Sequence, residues 1–88
     1  MSKKAENVRT IAVNGKILPL TPLEYDVFRM LKSGAGTVFS RETLLRDIWG
    51  YQCLVDTRTV DMCVKRLREK IGKERILTVY GQGYMMVS

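Results

Sequence analysis

Residues 57–70 read TRTVDMCVKRLREK, and the fold turns on which way this segment faces. At about 100° per residue, Val60, Val64, Leu67 and Ile71 fall in one narrow arc, the pattern of a helix docked on a core. The opposite side gathers Arg58, Met62, Lys65 and Arg66, with Thr59 and Arg68 on the flanks. Packing accounts for the first set. Solubility alone does not require the second, so the helix is expected to present its cations to a partner. Asp56 stands where a cap for a helix beginning at Thr57 belongs, and its carboxylate suits the positive end of the helix dipole. Asp61, acidic within a basic helix, is expected to pair with Arg58 or Lys65. Glu69 is expected to face solvent.

Upstream of this helix, SRETLLRDIWG (residues 40–50) predicts a second helix, with Ser40 as cap, Leu44, Leu45 and Ile48 inward, and Gly50 as its end. Before it, Thr21, Pro22 and Glu24 spell a capping box with proline at the first helical position, and Leu20 is placed to staple to Tyr25. Leu23, Val27, Phe28 and Leu31 then form the inner stripe of a first helix, which Gly34 to Gly36 stop. Thr37 to Phe39 is a short strand. In VRTIAVNGKILPL, Asn14-Gly15 predicts a two-residue hairpin turn pairing Val13 with Lys16 and Ile11 with Leu18. That register puts Ile11, Val13, Leu18 and Leu20 on one face, with Pro19 at a strand end or sheet edge. Downstream, ILTVYGQGYMMVS alternates as a second hairpin about Gly81-Gln82-Gly83, over residues 76–87. Residues 1–7 are polar and unpatterned, a frayed terminus or linker end, so the folded domain is expected over residues 8–88. The class is α+β: short N-terminal antiparallel strands, three helices and a C-terminal hairpin, the order of a winged helix-turn-helix.

The 88 residues suffice for one small core, and the net charge of +6 is a self-repulsion that a polyanionic partner would relieve. Residues 57–88 hold 7 basic and 3 acidic side chains, so most of the excess falls there. No window approaches the roughly 18 apolar residues of a membrane span. The polar start MSKKAENVRT lacks a signal's apolar run, which points to the cytoplasm. With no histidine, Cys53 and Cys63 cannot complete a four-ligand zinc site and are expected to be packing residues. No metal, cofactor, membrane or small-molecule substrate is expected.

The stretches LTPLEYDVF, SRETLLRDIWGY, TRTVDMCVKRLREKIG and ILTVYGQGYMM together resemble the winged-helix effector domain of OmpR/PhoB-type response regulators, the transcription factors of bacterial two-component systems. The resemblance covers residues 8–88. It implies sequence-specific binding of double-stranded DNA, with the third helix in the major groove and the terminal hairpin as a wing over the minor groove. On the matching positions it implies base reading by Met62, Lys65 and Arg66, and phosphate-contacting or supporting roles for Trp49, Arg58, Thr59, Arg68 and Thr78. Tyr80 and Gln82 belong to the wing. The loop holding Tyr51, Gln52, Leu54 and Val55 resembles the segment through which these factors meet RNA polymerase. The family binds direct repeats by head-to-tail self-association. Departures are Cys63, where a polar residue is common, Tyr80, where arginine is common, and a first sheet with room for fewer strands than the usual four.

The dimensions of the major groove agree with the implied roles. The major groove accepts one α-helix, so residues opposite the buried stripe reach base edges and those at its shoulders reach phosphates. Arg66 and Lys65 suit guanine O6/N7, whereas Met62 offers only apolar contact, as to a thymine methyl. Trp49 is open to two readings, a contact near the backbone or a packing residue with an outward N–H. Two other functions compete: a winged helix whose basic face meets an acidic protein, and an enzyme. The enzyme lacks histidine, a Walker-spaced phosphate loop and a sheltered carboxylate pair.

Overall fold

A computed structural model describes residues 9–50 and 56–87. Arg9–Val13 (β1) and Lys16–Leu20 (β2) form the expected antiparallel hairpin, with Val13 opposite Lys16 and Ile11 opposite Leu18. Asn14 at φ 51° and Gly15 at φ 80° supply the two left-handed residues of its turn. Val13 and Leu20 are buried and Ile11 and Leu18 partly so, while Ile17 on the other face is exposed. Among the described residues this first sheet has two strands, and Pro19 removes a donor where no third strand needs one.

Pro22–Ser33 (α1) carries the full capping box: Thr21 Oγ1 accepts from the Glu24 N–H at 3.2 Å, and Glu24 Oε1 accepts from the Thr21 N–H at 3.0 Å. Val27, Phe28 and Leu31 face inward as expected. Leu23 does not. It is 41% exposed, and Glu24 lies inside at 4%. The reason is tertiary, because Lys70 from the third helix donates to Glu24 Oε1 at 2.7 Å. A capped and charge-paired carboxylate can lie inside, and the first turn rolls to put it there.

Val38–Phe39 (β3) leads to Arg41–Leu44 (α2), where Ser40 Oγ accepts from the Thr43 N–H at 3.0 Å. This helix then widens into a π-helical turn over Leu45–Trp49, and the Gly50 N–H donates to the Leu45 carbonyl five residues back at 3.1 Å. The helix was expected, the widening was not. Leu44 is fully buried, whereas Leu45, Ile48 and Trp49 pack at the margin of the core.

Arg58–Ile71 (α3) turns its stripe as its periodicity requires. Val60, Val64 and Leu67 are fully buried, and Ile71 and Cys63 nearly so. The helix begins one residue later than expected, so Thr57 takes the cap position without a side-chain cap bond, and Asp56 just before it still accepts from the Arg58 N–H at Oδ1, at 3.0 Å. Full burial of a side chain such as Leu67 is worth about 2–3 kcal/mol, so this stripe holds α3 in place. After a short 3₁₀ turn, Ile76–Val79 (β4) and Gly83–Met86 (β5) form the terminal hairpin, and β3 adds to β5 in the order β3-β5-β4. Gly83 sits at φ 150°, and a Cβ there would run into the Phe39 carbonyl oxygen, so only glycine lets β5 close on β3 at that point. The two helices α2 and α3 followed by a hairpin make the expected winged helix-turn-helix.

Candidate nucleic-acid interface

With the stripe of α3 fixed inward, its other face is fixed outward. Met62 is 50% exposed, and Lys65 and Arg66 are exposed beside it. Among the described residues neither Lys65 nor Arg66 belongs to an ion pair. Their charges are available to a ligand. Thr59, Met62 and Arg66 line a shallow recess of about 140 Å³ with Leu23 and Trp49. Trp49 packs against the core margin, as its packing reading requires, and also edges the exposed face.

The other expected contact residues divide by how far the protein already employs them. Arg58 is exposed, but its guanidinium meets Asp56 Oδ2 at 2.8 Å. The Arg58 N–H and then its side chain hold the Asp56 carboxyl below the ordinary carboxylate value. Arg68 is engaged more completely. Its Nε and Nη2 donate to the Ile76 carbonyl at 3.0 and 2.7 Å, and Nη2 also donates to Thr78 Oγ1 at 2.8 Å. The same guanidinium lies 5.5 Å over the Tyr84 ring. Arg68 and Thr78 thus join α3 to the wing before any ligand arrives. At the wing tip Tyr80 is 90% exposed, with Gly81 and Gln82 exposed beside it. Tyr51, Gln52, Leu54 and Val55 lie outside the described residues, as does Cys53.

Asp61 corrects an expectation. Its partner is neither Arg58 nor Lys65 but Arg41 on α2, which donates from Nε to Oδ1 at 3.2 Å and from Nη2 to Oδ2 at 2.9 Å. The Tyr84 hydroxyl also donates to Oδ1, at 2.5 Å. Asp61 lies one position beyond the buried Val60, on the flank of α3 turned toward α2 and β5, whereas Arg58 and Lys65 lie on flanks turned to solvent. Burial, followed by its bond to Asp61, pushes the Tyr84 phenol up to about 12, and Asp61 raises the Arg41 guanidinium above its ordinary value.

Two other features escaped the sequence reading. Burial alone would raise the Glu24 carboxyl, but the Lys70 ammonium and the Thr21 N–H outweigh it and hold the group below 4.5. Lys70, one of the basic residues of α3, is thereby committed to the buried Glu24 while its own side chain stays partly exposed. Arg41 and Tyr84 were not singled out either, although an acid in the middle of a basic helix signals that some cation must come to it. Burial pushes the Cys63 thiol up to about 11, so it stays protonated and acts as a packing residue. Among the described residues no three His, Cys, Asp or Glu side chains gather as a metal site, and no helix is long and apolar enough to cross a membrane.

An exposed cationic helix face flanked by a hairpin completes a winged-helix domain, and the comparisons give the family. Residues 15–86 match the family described as "Transcriptional regulatory protein, C terminal". The chain belongs to this family, the OmpR/PhoB-type C-terminal DNA-binding domains that its motifs resemble. It is 43% identical over 83 residues to a transcriptional regulatory protein of Bacillus subtilis, YclJ, covering 90% of this chain and 37% of that one. The structure is similar to the DNA-binding domain of Bacillus subtilis CssR, with a TM-score of 0.82 at 34% identity, over 98% of this chain and 96% of that one. It is also similar to the DNA-binding domain of Klebsiella pneumoniae RstA in complex with the RstA box, with a TM-score of 0.79 at 30% identity, over 90% and 83% of the two chains. The chain spans roughly a third of the length of the curated relatives it matches.

Proposed function

We propose that this domain binds duplex DNA sequence-specifically as the effector end of a two-component-type transcriptional regulator, with α3 in the major groove and the β4–β5 hairpin as a wing along the neighbouring minor groove. The observation that carries the reading is the outward row Met62, Lys65 and Arg66, in which both cations are free of ion pairs among the described residues. Arg66 and Lys65 read guanine O6/N7, and Met62 packs on a thymine methyl. Trp49, Arg58, Thr59, Thr78 and Arg68 serve the flanking phosphates. For Arg68 that service is mainly support, because Nε and Nη2 already hold the wing. Tyr80 and Gln82 approach the minor groove. The relative RstA, solved on its own DNA box, supports the reading.

As part of a longer regulator in the cytoplasm, the domain would occupy direct repeats as head-to-tail copies and meet RNA polymerase through residues 51–55. The test is titration of the domain against a selected operator and a scrambled duplex of equal length at several salt concentrations. Specific binding gives a large affinity ratio between the two, and an affinity for both that falls steeply with salt. A shallow salt dependence and no preferred duplex would point instead to an acidic protein partner for the same face.

A further inference from the structure

The wing is anchored unevenly. At its base Ile76 and Met86 are buried, whereas the tip from Tyr80 to Gln82 is exposed. A recess of about 350 Å³, lined by Arg41, Asp61, Tyr80 and Tyr84 among others, separates the tip from α2. Tyr84 and Gly83 of β5 are buried as well, so the part of the hairpin that packing supports least is the outer half of β4 with the tip, where Leu77, Thr78 and Tyr80 to Gln82 are exposed. β3 pairs with β5 as far as Phe39 opposite Tyr84, and among the described residues β4 has only β5 as a strand neighbour. What crosses from α3 to this half is polar. Asp61 accepts from Tyr84 on β5, and Arg68, two turns further along the same helix, grips the Ile76 carbonyl and Thr78 on β4 and covers the Tyr84 ring. Arg41 completes the chain by clamping Asp61 from α2 with two hydrogen bonds.

We propose that Asp61 is a positioning residue for DNA binding: with Tyr84 and Arg68 it fixes the pitch of the wing against α3, so that the tip meets the groove flanking the one that Lys65 and Arg66 enter. A hairpin held only at its base pivots, and ordering it on DNA costs conformational entropy that a preset wing does not lose. Both strands are gripped from one helix, so the distance between wing tip and base-reading row becomes a property of α3 itself. An acid in the middle of a basic recognition helix then has a purpose that its own charge would otherwise oppose. The inference rests on the DNA-binding reading, and its test includes a measurement that needs no DNA.

Asp61→Asn and the milder Tyr84→Phe, which removes one hydroxyl and leaves the Arg41 pair, are compared with the unaltered domain. ¹⁵N relaxation on the free proteins is expected to give rigid Gly81 and Gln82 amides in the unaltered domain, with order parameters near 0.85, falling below about 0.6 in both variants while the Val60 and Leu67 amides stay rigid. On the operator, hydroxyl-radical protection of the flanking minor groove should weaken, while the operator-to-scrambled affinity ratio stays within about twofold because the base-reading row is untouched. Tip amides already mobile in the unaltered domain, or equally rigid in Tyr84→Phe, would overturn the proposal. So would a loss of the affinity ratio in step with affinity, which would show Asp61 acting through the helix and not the wing. If no duplex is preferred even by the unaltered domain, the DNA-binding reading fails, and the relaxation data still decide whether Asp61 holds the wing.

Discussion

The two ends of α3 each carry an ion pair to another helix, and the pairs differ in kind. Toward the C-terminal end, Lys70 meets a Glu24 that is buried and already holds a backbone N–H. Nearer the N-terminal end, Arg41 and Asp61 meet with 42% and 34% of their side chains exposed. A buried carboxylate deprived of its cation is costly, whereas a half-exposed pair in water contributes little by itself. The first pair belongs to stability. The second is useful for geometry, because Tyr84 also ends on it. Between them run the buried stripe and, on the opposite face, the free cations, so one helix separates folding from recognition by side and by end.

Substitutions test that separation. The largest effect is expected from Val64→Asp, which buries an unpaired carboxylate at several kcal/mol in a domain whose whole stability is on the order of 5 kcal/mol. Circular dichroism should show loss of the cooperative melt, and a melt near the original temperature would show that the inward face of α3 has been misassigned.

Next comes Lys70→Met, expected to cost about 2 kcal/mol at neutral pH by leaving Glu24 inside without its cation, a value below that of a fully buried pair because Lys70 is partly exposed. Its pH dependence is the sharper check. The Glu24 carboxyl is held below 4.5 in the folded domain, so its contribution is present above that value and is lost as pH falls through the folded value. The stability gap between Lys70→Met and the unaltered domain should therefore narrow as denaturation is followed from pH 7 down to pH 3. A constant gap would place the effect of Lys70 in packing.

On the outer face the melt should stay and binding should change. Arg66→Ala is expected to cost about 1–3 kcal/mol on the selected operator and to relax preference at one or two base pairs, as the loss of a bidentate guanine contact does. Equal weakening on operator and scrambled duplexes would make Arg66 a phosphate residue. The smallest effect is expected from Tyr80→Arg at the exposed wing tip. An arginine there enters a narrow A·T-rich minor groove where tyrosine offers one neutral hydroxyl, so binding should tighten most beside an A-tract, with the salt slope steeper by about 0.9. No tightening on either an A-tract or a G·C flank would make Tyr80 a contact in its own right.

The sequence by itself determined the order of the elements and the facing of most of them, through interactions that span at most a few residues. The turn at Asn14-Gly15, the Thr21 to Glu24 capping box, the Ser40 cap and the stripe from Val60 to Ile71 all depend on φ preference, capping bonds or helical period, and each stands where its local chemistry puts it. The row Met62, Lys65 and Arg66 followed at once, because a face opposite a buried stripe has nowhere else to point. Tertiary structure decided which polar groups meet. Asp61 had two cations within helical reach and took one 20 residues upstream, together with a hydroxyl 23 residues downstream, while Glu24 displaced Leu23 from the core because a lysine 46 residues away came to cover it. The widened turn at Leu45–Trp49 and the grip of Arg68 on the wing belong to the same class. A charged side chain carries no mark of its distant partner, since many packings satisfy the same periodicity. Only the crossing of α3 with α1, α2 and the hairpin brings one particular donor within 3 Å of one particular acceptor.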